Sequence, residues 1–372
     1  MKLLKIANLK IPVPVIQGGM GVGVSLSGMA AAVANEGGVG VVSCAGLGLL
    51  KRYKGANYLE SNILALKEEL EKTRKKTNGI IGVNIMVAMS NYGDMVKTAI
   101  SEKADIIFSG AGLPMDLPAF LKKDSITKLV PIVSSGRAAK IICNKWKNTY
   151  DYLPDAIVVE GPKAGGHLGF KNNQINDKNY SLEHLVPDVV AIAKKYEDQY
   201  NTEMPVIAAG GIYTGQQIKN IMDLGASGVQ MGTRFVTTNE CDASDAFKQT
   251  YINSKAEDVE IINSPVGMPG RAIKSNFMEK VKKGEKQPLK CPFHCIKTCD
   301  ITSSPYCIVK SLISALKGNF ENGYAFAGTN AYLAEKIISI KETFENIKKE
   351  YDEYMEYMEG KVKQKVCNVN VL

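Results

Sequence analysis

Eight short runs rich in Val and Ile recur at 13–17, 39–43, 80–86, 105–109, 130–134, 156–160, 205–209 and 228–232. Each lacks polar alternation in its middle, as a strand buried on both faces requires. Amphipathic segments at 25–36, 61–76, 91–103, 115–122, 137–148, 181–200 and 214–224 separate them. Strands alternating with helices predict a parallel sheet with right-handed crossovers, because a parallel pair needs a long connection back over one face. Eight such units predict an α/β fold of the (β/α)8 TIM-barrel type. The competing arrangement is an open doubly wound sheet, whose dinucleotide fingerprint does not follow the first strand convincingly. Beyond residue 232 the pattern degrades. Three regions follow: a barrel over 1–239, a mostly helical cap over 240–326, and a C-terminal segment over 327–372 whose long helix, 331–357, packs back on the barrel.

Charge and apolar content narrow the function classes. Apolar residues make up 45% of the 372, enough for a sizeable core. Lys and Arg number 46 against 38 Asp and Glu. The resulting +8 suits an anionic ligand, but is too weak and dispersed to imply nucleic acid. No uninterrupted apolar stretch of about 18 residues predicts a membrane span. The opening MKLLKIANLKIPVPVIQ has too short an apolar run for a secretory leader and leads into a strand. The expectation is a cytoplasmic protein with neither nucleic-acid nor membrane partners.

The ends of the predicted strands carry the chemistry. Strand seven ends AAGGI, with Gly210 and Gly211, and strand eight ends QMGTRF, with Gly232 and Thr233. In such barrels the loops after these two strands commonly form a phosphate site, since glycine admits an anion close to backbone N–H groups. The same glycines also serve simple tight turns. Gly18, Gly19 and Met20 follow strand one, where small residues let a flat ring lie on the backbone. Asn84 ends the apolar third strand and suits either a ligand hydroxyl or a turn cap. The loop EGPKAGGHLG follows strand six and places His167 among glycines at the barrel mouth. Histidine is the side chain best poised to move a proton near neutrality, although many loop histidines are plain surface. Ser109 and Gly110 after strand four, and Ser134 after strand five, add small groups to the same rim. His184 reads as helix surface.

Six ordered motifs, QGGMG, GVNIM, SGAGLP, EGPKAGGHLG, AAGGI and VQMGTRF, together resemble the nitronate monooxygenase (2-nitropropane dioxygenase-like) family. The flavin-dependent enoyl-acyl-carrier-protein reductases share these motifs. The resemblance covers roughly residues 12–235. It implies an FMN-dependent oxidoreductase that oxidises alkyl nitronates, such as propionate 3-nitronate, with O2 to a carbonyl compound and nitrite, His167 acting as base. The alternatives are an NAD(P)H-dependent enoyl-thioester reductase and, in another class, a non-catalytic flavin- or phosphate-binding protein. The cofactor contacts it implies are Gly18, Gly19, Met20, Asn84, Glu160, Gly165, Gly166, Gly210, Gly211, Gln230, Met231, Gly232 and Thr233. Ser109, Gly110 and Ser134 would meet substrate, and a homodimer is allowed. In the reductase reading, Lys280, Lys282, Lys283, Lys286 and Lys290 would dock an acidic carrier protein; otherwise they form a solvated charged loop.

Eight cysteines divide into two sets. Cys44, Cys143, Cys241 and Cys367 are scattered, as buried small hydrophobes are. Cys291, Cys295, Cys299 and Cys307 cluster near His294. The cluster reads as reduced structural thiols or a labile disulfide rather than a zinc or iron–sulfur site, because CxxC pairs are missing. No metal ligand is assigned.

Overall fold

A computed structural model describes residues 1–51, 53–285, 291 and 293–369, with side chains to 361. Lys286 and Lys290 of the basic run, and the Cys367 side chain, lie outside that description.

The chain opens with a hairpin, β1 (Leu4–Ile6) and β2 (Leu9–Ile11). Eight parallel strands follow: β3 (Val15–Gln17), β4 (Gly40–Ser43), β5 (Ile81–Met86), β6 (Ile106–Gly110), β7 (Lys128–Val133), β8 (Ile157–Glu160), then β10 (Val206–Ala209) and β11 (Gly228–Met231). The two-residue β9 (Gly166–His167) sits between β8 and β10. A parallel bridge between Ile16 and Val39 joins the first and second barrel strands, so the sheet closes into the expected (β/α)8 barrel.

Residue parity follows from the pleat, which turns successive side chains to opposite faces. Phe108, Val158, Ile207 and Ala209 point inward and pack with Leu4, Ile6 and Ile11 of the N-terminal hairpin. The hairpin, unanticipated from sequence, therefore caps the apolar interior at the strand starts. Phe108 is the largest of the inward side chains in that cluster, and it lies against Gly82, where any Cβ would stand 2.6 Å from its ring.

The helical layer is α1 (Ser27–Asn35), α2 (Tyr58–Lys76), α3 (Tyr92–Ser101), α4 (Gly136–Tyr150), α5 (Leu182–Tyr200) and α6 (Gly215–Asp223). The helix α2 begins earlier than expected because Asn57 and Glu60 form a capping box. The helix expected at 115–122 is only a single 3₁₀ turn, Leu117–Phe120. Pro118 disfavours helical backbone at Leu117, which explains the shortfall.

After β11 come α7 (Thr233–Val236), α8 (Asp245–Ile252), the hairpin β12 (Val259–Asn263) and β13 (Pro269–Ile273), α9 (Asn276–Lys282), α10 (Ile308–Leu316) and α11 (Ile340–Val369). The cap thus holds strands as well as helices. Strand β13 also pairs with β9, Gly270 opposite His167, which joins the cap to the barrel rim. The long C-terminal helix starts at Ile340 rather than 331, after a 3₁₀ turn at Ala331–Leu333. Among the described lysines of the basic run, Lys280 pairs with Glu321 at 3.0 Å and Lys282 with Glu260 at 2.7 Å.

The helix α11 locks the elements that follow the last two barrel strands. A Cβ on Gly215 would stand 2.3 Å from the Tyr351 backbone nitrogen, so glycine is required where α6 and α11 touch. Glu350 accepts the Gly215 N–H at 2.8 Å and a charged hydrogen bond from the buried Arg234, also at 2.8 Å. Arg234 in turn donates to the Tyr213 carbonyl. Glu350→Ala leaves that guanidinium short of its carboxylate and should lower unfolding free energy by about 2 kcal/mol in urea titration. A loss under about 0.5 kcal/mol, the range of ordinary surface changes, would contradict this role.

Candidate functional site

The inward parity of the barrel strands continues to their C-terminal ends. There Asn84, Gly110, Glu160, Ala209 and Gln230 line one cavity that opens to solvent. The loops beyond the strands complete its wall. All the expected cofactor contacts are brought together here: Gly18, Gly19, Met20, Asn84, Glu160, Gly165, Gly166, Gly210, Gly211, Gln230, Met231, Gly232 and Thr233. His167 and Gly110 line it too.

Ser109 and Ser134 are not among the residues that line it. Phe108 and Gly110 point inward, so Ser109 points out to the helical layer. Its hydroxyl is fully buried, donates to the Ile85 carbonyl at 3.1 Å and lies 3.0 Å from the Tyr92 hydroxyl. Ser134 is covered by the loop after β9; a Cβ on Gly169 would stand 3.1 Å from its Oγ.

One side of the cavity is built from backbone and small residues. Gly210 has φ +96°, a conformation that favours glycine, and its Cβ would meet the Gly161 carbonyl at 2.7 Å. Gly232 differs. Its backbone is ordinary, and a Cβ there would approach only Met20, at 3.3 Å or more. The Gly232 backbone at the end of the last barrel strand thus lies directly beside Gly18 and Met20.

The other side comes from the cap, and the sequence did not reveal it. Ser264, in the turn between β12 and β13, lies 2.8 Å from His167 Nε2. The Val266 N–H points at the same Ser264 oxygen at 3.5 Å, so this hydroxyl links the cap backbone to the His167 ring. Phe326 meets the His167 ring edge-on at 5.0 Å between centroids. The Tyr251 hydroxyl donates to the Phe326 carbonyl. Asn330 Nδ2 donates to the Gly211 carbonyl at 2.9 Å, and the Gly328 N–H donates to Thr233 Oγ1 at 3.0 Å. Arg271 is buried and donates to the carbonyls of Ala164 and Pro162, which fixes the His167 loop.

Two titratable groups in this wall are shifted in opposite directions. Burial pulls the His167 imidazolium down to about 4, so the ring is neutral at pH 7. Burial pushes the Glu160 carboxyl up to about 7, so it is near half-protonated there. His184, by contrast, sits on an exposed helix start beside Ser181.

For His167 the unfolded chain binds a proton below pH 6.5 while the folded chain does not. Its contribution therefore lowers stability as pH falls from 6.5 toward 4, and becomes constant below that. The His167 ring resonances should stay unshifted from pH 8 to about 5 and move only near pH 4. A midpoint near 6.5 would mean that the ring is solvated rather than held by Ser264 and Phe326.

The nitronate monooxygenase family model matches residues 2–350. A probable nitronate monooxygenase of Staphylococcus aureus is 28% identical over 316 residues, covering 74% of this chain and 79% of the relative. A Mycobacterium tuberculosis protein is also 28% identical, over 274 residues; it is a (3aS,4S,5R,7aS)-5-hydroxy-7a-methyl-1-oxo-octahydro-1H-indene-4-carboxyl-CoA dehydrogenase. That alignment covers 73% of this chain but only 66% of the dehydrogenase's own length. The structure of FabK from Thermotoga maritima superposes with a TM-score of 0.72 at 28% identity, covering 94% of this chain and 96% of that one. A nitroalkane oxidase from Streptomyces ansochromogenes, at 19% identity and a TM-score of 0.70, shares the fold. No helix among the described residues is long and apolar enough to cross a membrane. With a family match across almost the whole barrel and cap, the chain belongs to the nitronate monooxygenase family.

Proposed function

We propose that this chain binds FMN and oxidises alkyl nitronates, such as propionate 3-nitronate, with O2 to a carbonyl compound and nitrite. The observation that carries the reading is His167, neutral, hydrogen-bonded to Ser264, and set in the wall of the glycine-floored cavity. Gly210, Gly211, Gly232 and Thr233 would hold the phosphate, and Gly18, Gly19 and Met20 the flat ring, with Asn84, Glu160, Gly165, Gly166, Gln230 and Met231 around it. FMN, when bound, supplies the redox chemistry, and the protein supplies orientation and electrostatics.

The chain's own residues then have defined tasks. Lys163 lines the cavity and supplies positive charge for an anionic substrate. The neutral imidazole of His167 presents a ring N–H to a nitronate oxygen, or accepts a proton from a neutral nitro compound. An anion bound beside it would raise its proton affinity above the value in the empty cavity. Met86, Met89, Val266 and Ile308 form an apolar wall that limits water.

A second reading rests on that same wall. With Ile296 and Val309 it extends further than a short nitronate fills, which suits the chain of an enoyl thioester reduced at the expense of NAD(P)H. Aerobic incubation of flavin-loaded protein with propionate 3-nitronate should consume O2 and release nitrite. Anaerobic NAD(P)H oxidation that depends on a crotonyl thioester, without nitrite release from the nitronate, would replace the first reading by the second. His167→Ala should keep the yellow colour and lose about 10²-fold or more in turnover; an unchanged rate would remove His167 from the chemistry. Gly232→Val should fold normally yet bind FMN at least about tenfold more weakly, because its side chain has room only within the cradle. Undiminished FMN affinity in that variant would place the phosphate elsewhere.

A further inference from the structure

We propose that Cys291, Cys295, Cys299 and Cys307 hold an iron–sulfur cluster in a second, smaller cavity that shares a wall with the cofactor cavity. Half of the chain's cysteines fall within 291–307, and all four line this cavity together with His294, Ile301 and Ile308. None is in a disulfide. Cys295 is buried and lies within electrostatic reach of the other three thiols.

The frame around them is fixed by the barrel rather than by the thiols. The Ser90 N–H donates to the Cys295 carbonyl at 3.1 Å and the Lys297 N–H to the Ala88 carbonyl at 2.9 Å. Met89 and Ile296 form an antiparallel bridge between these two hydrogen bonds. Cys307 is the N-cap residue of α10, so its position is set by the start of that helix. Cys299 Sγ lies 3.7 Å from the Ser304 hydroxyl, a polar partner of the kind that tunes a ligand sulfur.

The arrangement chooses between kinds of centre. Among the described residues, no group of three or more His, Cys, Asp or Glu side chains is disposed to hold a single metal ion. Tetrahedral zinc needs all its thiolates about 2.3 Å from one point. In a [4Fe–4S] cluster each iron takes one thiolate, so four cysteines stand around a core rather than meeting at an ion. Four thiols lining one hollow match the ligand count of the second kind of centre. Cys295 and Ile308 line both cavities, so such a cluster would stand one side-chain layer from the larger one.

The test uses the whole chain purified without oxygen, before and after incubation with ferrous iron and sulfide. Expected are about four irons and four acid-labile sulfides per chain and a brown colour that dithionite bleaches. Cys299→Ala should lose most of the iron while keeping the thermal midpoint of the cluster-free wild-type chain. Cys143→Ala, whose buried thiol lies in the separate barrel–helix core, should keep the iron. Background iron after reconstitution, zinc in place of iron, a disulfide among these cysteines, or full iron in both Cys299→Ala and Cys307→Ala would overturn the proposal. Iron and sulfide are counted per chain whether or not flavin is present, so this result stands apart from the proposed nitronate chemistry.

Discussion

The antiparallel pairing of β9 with β13 is the contact on which the site depends. A parallel barrel delivers strand ends and glycine loops to one rim, but nothing in a barrel alone holds a loop histidine over that rim. Here Gly166 and His167 form a two-residue strand against Gly270 and Arg271. The Arg271 guanidinium then reaches two carbonyls of the loop itself. A buried arginine without a carboxylate partner is costly, and burial depresses its proton affinity. That cost is offset by the two carbonyl hydrogen bonds, which exist only when the cap hairpin and the His167 loop are in register. Cap and loop are therefore coupled, and Ser264 at the hairpin turn arrives beside His167 as a consequence.

What the sequence disclosed follows from which contacts are local. The strand runs, the glycines after strands one, seven and eight, and the EGPKAGGHLG loop were readable because βα turns and phosphate cradles are built from neighbours in the chain. The barrel and the placement of Asn84, Glu160, Gln230 and His167 at one rim followed from that. Ser109 faces the helical layer for a reason also present in the sequence. With a side-chain period of two, a residue between the inward Phe108 and Gly110 must face the helices. Ser134 gave no such signal, since it lies past the end of β7 and is hidden by a loop from after β9.

The cap was less legible because its contacts are distant in sequence. His167 and Ser264 are separated by 97 residues, and Gly211 and Asn330 by 119. The strands β12 and β13 are short, and β12 is largely half-exposed, so neither gives the continuous apolar run of a barrel strand. The N-terminal hairpin hid in the same way: its inward Leu4, Ile6 and Ile11 alternate with exposed lysines over only three residues per strand.

The aromatic residues of the cap explain how a segment poor in regular structure can still be rigid. Phe277, Tyr306, Tyr324 and Phe326 stack in sequence, with centroid separations of 5.0 Å from Phe277 to Tyr306, 5.9 Å from Tyr306 to Tyr324 and 5.2 Å from Tyr324 to Phe326. The series ends on the His167 ring. Edge-to-face aromatic pairs of this kind contribute about 0.5–1.5 kcal/mol each beyond the area they bury. Their geometry is directional, so the stack sets the position of Phe326 and with it the angle of the imidazole. Tyr306 is also the residue before Cys307. The thiol cavity and the histidine are thus tied to one stack, through Tyr306 and Phe326 respectively. A change in packing at either of them is transmitted through aromatic contacts that have little freedom to absorb it.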